Sequence, residues 1–172
     1  MAQNKKSMKM KTLVRKVTFT LILLAVSFTL PVNAQIINEL AKIDVFRAIV
    51  NGQDMIKMST ENEHCLQFYK QGKDIFFANN YVKQNSKSYG KITSVEYKKC
   101  NEKDGLFSDV YQFKWCWKNS FDNETGVANV FLKVVTFKDG KAARIIIVSE
   151  DVETLCDYGG FFNGSLNSLK EK

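Results

Sequence analysis

Residues 109–150 constrain this chain more than any other stretch, because they hold three β-rich runs separated by turn-forming residues. Asp109–Lys118 (DVYQFKWCWK) alternates strictly, with Tyr111, Phe113, Trp115 and Trp117 on one face and Val110, Gln112, Lys114, Cys116 and Lys118 on the other. A period of two with aromatic enrichment is the signature of a strand. Gly126–Phe137 and Ala142–Glu150 are the second and third runs, joined by Lys138-Asp139-Gly140-Lys141. Asp-Gly supplies the positive φ angles of a tight hairpin turn. Centring that hairpin on Asp139-Gly140 pairs Val134 with Ile145 and Leu132 with Ile147. Across the polar connection Asn119–Thr125, Trp115 falls opposite Ala128, Phe113 opposite Val130 and Tyr111 opposite Leu132. Opposed residues share a face. One face of the meander is therefore apolar, and the other mixes Lys and Arg side chains with Phe131, Ile146 and Val148.

The start of the chain has a different character. Lys5, Lys6, Lys9, Lys11, Arg15 and Lys16 form a basic region without acidic residues, followed by the apolar run Val17–Leu30 and then Pro31 and Val32-Asn33-Ala34. This order reads as a signal peptide over residues 1–34, cut before Gln35. An uncleaved membrane anchor is the other reading, but the apolar run falls short of the ~20 residues that a spanning helix needs. The reading places the mature protein in the periplasm or outside the cell, exported from a bacterium, with no stable membrane insertion after cleavage. Charge supports no nucleic-acid role. The chain carries 25 Lys+Arg against 18 Asp+Glu, and removing the six basic residues of the leader leaves 19 against 18.

The four cysteines, Cys65, Cys100, Cys116 and Cys156, all follow the leader. In an oxidising compartment an even count favours disulfides, with three connectivities open. The strand registers favour Cys116–Cys156, which leaves Cys65–Cys100; free buried thiols are the other reading. No CxxC pair or histidine cluster suggests a metal, and no cofactor motif is present.

From Gln35 the apolar residues Ile36, Leu40, Ile43, Phe46, Ile49 and Val50 recur at helical spacing, and Asn51-Gly52 reads as the helix stop. Ser59–Gln71 opens on a capping-box pattern (Thr60-Glu61-Asn62-Glu63) and reads as a second helix. Lys73–Val82 reads as a third and Gln84–Gly90 as a loop. Lys91–Cys100 is the first strand, with Val95 opposite Phe113 across a turn at Asp104-Gly105. After Glu150, residues 159–172 read as a partly disordered tail. The whole describes a signal peptide, a single α+β domain over 35–158, and that tail.

Helices followed by an antiparallel meander make an α+β pattern. The early amphipathic segment, Gly90–Tyr97, the aromatic run 109–118 and the hairpin at Lys138–Lys141 together resemble the cystatin-like, nuclear-transport-factor-type cone fold, found in small exported bacterial proteins. The resemblance implies N-terminal helices packed on a curved four-stranded antiparallel meander. Enzymes of that group place an acid/base pair inside the cone, whereas the sole histidine here, His64, sits beside Glu61 and Glu63 in what reads as a polar, solvent-facing helix turn.

Aromatic faces stack on apolar or ring-bearing ligands, so Tyr111, Trp115 and Trp117 are the candidate ligand-binding residues, and hydrophobic core is their other reading. The expected role is non-catalytic binding of a small apolar ligand or of an envelope protein. Two alternatives stand beside it. A lyase- or isomerase-type enzyme requires an ionisable residue converging on Trp115 and Trp117. A structural or homodimerising module requires an exposed apolar patch around Phe131, Ile146 and Val148.

Overall fold

The computed structural model describes residues 37–150 and 154–171; the leader read over 1–34 lies outside them. In chain order the elements are β1 (Ile37–Val50), the stub β2 (Gln53–Asp54), helix α1 (Ile56–Glu61), β3 (His64–Gln71), β4 (Asp74–Tyr81), β5 (Ser86–Asn101), β6 (Phe107–Asn119), β7 (Thr125–Phe137), β8 (Gly140–Ser149), β9 (Leu155–Gly164) and helix α2 (Asn167–Lys170). The long strands are antiparallel neighbours in the order β1-β3-β4-β5-β6-β7-β8-β9, and β9 pairs back onto β1. The sheet therefore closes into an eight-stranded barrel. This overturns both the α+β expectation and the cystatin-like resemblance. Among the described residues the longest helix has six residues, and no layer of helices covers a sheet.

The segments expected to be three N-terminal helices are β1, β3 and β4. In β1, Ala41, Ile43 and Ala48 are buried, and the register against β9 shifts between Val45 and Arg47. A bulge inserts one extra residue and breaks the period of two, so the apolar spacing of β1 imitates that of a helix. Asn51 and Gly52 take φ of 49° and 79° and link Val50 to its partner Gln53. Both central residues at positive φ make the tight hairpin turn that Asn-Gly favours; the pair reverses a strand rather than ending a helix. The β3–β4 hairpin turns likewise through Gly72 at φ 61°, with Gln71 opposite Asp74. The capping-box residues make no cap, because α1 begins at Ile56 and ends at Glu61.

Within the meander the β6–β7 register is the expected one: Tyr111 opposes Leu132, Phe113 opposes Val130 and Trp115 opposes Ala128. The β7–β8 hairpin turns one residue earlier than expected, through Lys138-Asp139, and pairs Val134 with Ala143 and Leu132 with Ile145. Only Gly140 there has positive φ. The register moves by two residues, an even number, so the same side chains still face inward. Phe113 meets not Val95 alone but a bulge formed by Ser94 and Val95, with Ser94 at φ 52°.

The expected tail contains the strand that closes the barrel. β9 carries Tyr158 and Phe162 into the interior, both at most 5% exposed. Leu66, Phe68, Phe77, Ile92, Phe113, Val130, Leu132 and Ile145 pack the middle of the barrel. One end is plugged by α2. Leu166 and Leu169 join the core there, and the Lys170 ammonium donates to Asp109 Oδ1 at 3.1 Å, beside the Tyr97 hydroxyl donating to the same oxygen at 2.6 Å. Among the described residues the other end is covered only in part, by α1, which packs Met55 on the core and buries Ser59, and this end holds the site described next.

Candidate functional site at the open end of the barrel

Strand β6 brings Trp115 and Trp117 to the open end on successive inward positions, with ring centroids 6.3 Å apart. The neighbouring strands offer little bulk beside them. Gly90 on β5 and Gly126 on β7 both oppose Trp117, and Ala128 opposes Trp115. These small residues leave a cavity of about 290 Å³ against the indoles, walled further by Asn79, Ser88, Ile147, Ser149 and Cys156, with Glu124 and Thr154 at its rim. Two polar atoms in this wall, Trp115 Nε1 and Ser149 Oγ, are withdrawn from solvent and have no hydrogen-bond partner. A buried donor or acceptor left unpaired costs about 1–3 kcal/mol.

A second cavity, about 360 Å³, adjoins the first. Its wall is Val50, Asn51, Gln53, Met55, Met58, Tyr81, Tyr158 and, shared with the first, Cys156. Two strands contribute successive inward residues to both: Asn79 then Tyr81 on β4, and Cys156 then Tyr158 on β9.

Behind these walls lies a polar network. His64, only 4% exposed, stacks on Tyr81 at 4.3 Å and meets Tyr158 edge-on at 4.8 Å. Its Nε2–H donates to Asn79 Oδ1 at 2.6 Å, and its Nδ1 accepts from the Ser59 hydroxyl at 2.7 Å. Burial lowers its pKa to about 4, against the opposing effect of the Asn79 hydrogen bond, so the ring is neutral at ordinary pH. His64 is thus an interior residue that ties α1 to the barrel, not the solvent-facing helical residue expected. Burial also raises the pKa of the Cys156 thiol and, with the hydrogen bonds to Cys156 and Tyr81, that of the Tyr158 hydroxyl.

Of the three candidate ligand residues, Trp115 and Trp117 line the cavity, whereas Tyr111 is packed in the core, 2% exposed, near the plugged end. Asn79, Ser88, Ser149 and Cys156 were missed. Their positions depend on barrel closure, and the one local clue was the period of two in Ile75, Phe77, Asn79 and Tyr81.

The expected disulfides are not formed; all four cysteines are free. Cys116 is exposed on the outer face of β6, while Cys156 lines the interior three strands away, with β7 and β8 between. Cys65 sits level with Asn80 and Lys87, at the opposite end of β5 from Cys100. Neither pair meets the ~6 Å Cα separation a disulfide needs, because barrel closure sets the first pair on different faces of non-adjacent strands and the second toward opposite ends.

Among the described residues the ionisable groups of the two cavity walls are Glu124, Cys156, Tyr81 and Tyr158. Among the described residues no three His, Cys, Asp or Glu side chains cluster to hold a metal, and no helix is long and apolar enough to cross a membrane. On the outer surface Phe131 and Leu155 are 41% and 45% exposed, and the Phe46 and Phe161 rings meet at a 58° tilt with centroids 4.9 Å apart. No protein-family model matches this chain, and no curated protein matches it.

Proposed function

We propose that this protein binds a small, largely apolar ligand in the open end of its barrel. The observation that carries this reading is the cavity against Trp115 and Trp117, placed where a barrel plugged at its other end by α2 still admits a guest. Eight strands enclose an interior that is either filled by side chains or holds one small ligand. Here the middle is filled and the open end is not. A volume of about 290 Å³ lies at the small end of the range for ligand pockets. The unpaired Trp115 Nε1 and Ser149 Oγ favour a guest that carries a polar atom and relieves their desolvation.

The walls do not favour catalysis. Burial keeps the Cys156 thiol protonated, and the neutral His64 stands behind Asn79 and Tyr81 with both ring nitrogens engaged. Native mass spectrometry of the protein purified from its own host, with tryptophan fluorescence of the delipidated and reloaded protein, tests the reading. A retained small molecule whose return changes tryptophan emission supports it; a protein that retains nothing and whose emission no apolar compound alters refutes it.

A second reading rests on the exposed Phe131 and Leu155, flanking the half-buried Ile146 and Val148 on the outer face of β7, β8 and β9. These would serve contact with a second copy. A concentration-independent monomer mass by light scattering excludes it.

A further inference from the structure

We infer that the ligand is a neutral, elongated molecule with a ring at one end and an alkyl chain at the other, spanning both cavities past Cys156. The inference rests on the binding reading above and adds the ligand's class to it. Three observations carry it. First, the two cavities share Cys156 and are built on consecutive inward residues of β4 and β9, so they are neighbouring compartments of one site. Second, the compartments differ in chemistry. The first presents two indoles, flat faces suited to a ring; the second presents Met55, Met58 and Val50, and methionine's flexible thioether adapts to a chain of variable shape. Third, among the described residues neither wall contains Lys or Arg, and Glu124 at the rim is the one carboxylate. An anionic head group would enter without a counter-charge and beside a like charge, which disfavours it.

A homologous series of phenyl alkyl ketones, from acetophenone to octanophenone, tests this on the full mature chain. Affinity is read by quenching of tryptophan emission, and Cys156 alkylation by peptide mapping. Burying one methylene is worth about a fourfold change in affinity. The dissociation constant is expected to fall about fourfold per added methylene over at least four additions. Octanophenone is expected to protect Cys156 from alkylation while acetophenone does not, and nonanoate to bind at least tenfold more weakly than 1-nonanol. A series that binds with no dependence on length, equal protection of Cys156 by the short and long ketones, or nonanoate binding as tightly as the alcohol overturns the inference and leaves the cavity reading standing. Failure of every compound to bind overturns the cavity reading itself, and this inference with it.

Discussion

The His64 ring remains neutral because protonation would place a charge among Ser59, Asn79, Tyr81 and Tyr158, where water cannot solvate it. Its folded pKa of about 4 lies below the ordinary value of 6.5. Between those values the unfolded chain binds a proton that the folded chain refuses, so stability falls as pH drops from 6.5 towards 4 and this group contributes no further loss below. Each pKa unit is worth about 1.4 kcal/mol, so by pH 4.5 the loss from this one residue is about 2–3 kcal/mol. Urea unfolding at pH 7 and pH 4.5 measures it, and His64→Gln separates it from the carboxylates. The variant is expected to start less stable, having lost the Ser59 and Asn79 geometry, yet to lose about 2–3 kcal/mol less over the same interval. An equal loss in both proteins would place the pH sensitivity elsewhere.

Two glycines separate what strands tolerate from what turns tolerate. A Cβ on Gly90 would stand 1.7 Å from the Cys116 carbonyl oxygen and 2.7 Å from Trp117 Cα, both backbone atoms of β6. Only separation of β5 from β6 relieves that contact, so Gly90→Ala is expected to cost about 3 kcal/mol or more and to speed amide exchange along that pair of strands. A Cβ on Gly52 meets nothing within 4 Å and is opposed only by φ of 79°, so Gly52→Ala is expected to cost about 1–2 kcal/mol. Denaturant titration of both variants checks the order; equal costs would mean that β5 and β6 have slack at Gly90. The same elements show why only part of the fold was legible in the sequence. The β6–β7 pairing was readable because its alternation is unbroken from Tyr111 to Trp117 and its partner run carries matching apolar residues. β1 was not, because the bulge after Val45 erased its period, and Asn51-Gly52 terminates a helix or turns a hairpin with equal ease in the absence of context. Trp115 and Trp117 could be found as site residues from β6 alone. Asn79, Ser88 and Cys156 join them only once β4, β5 and β9 are known to be strands of the same closed sheet.

Closure itself is the property of the whole molecule on which the cavity depends. β9 pairs with β8 on one side and β1 on the other, and it supplies Tyr158 and Phe162 to the core and Cys156 to both cavities. Each large side chain withdrawn from the core removes about 1.5–3 kcal/mol of burial, and a domain's net stability is only about 5–15 kcal/mol. Without β9, β1 and β8 also become open edges whose unpaired amides and carbonyls template association with another chain. A chain ending at Glu150 is therefore expected to have no cooperative thermal transition and to elute as aggregate. A chain ending at Leu166 retains every barrel strand and loses only α2, with Leu169 and the Lys170–Asp109 contact. It is expected to stay monomeric and cooperative, less stable by about 3–5 kcal/mol, near the cost of emptying a core leucine site. Size-exclusion chromatography and circular dichroism melts of the two truncations decide between these outcomes. If the chain ending at Glu150 instead melts cooperatively as a monomer, the remaining seven strands suffice as an open sheet. The open-end cavity, whose wall includes Cys156 of β9, would then be no necessary part of the fold.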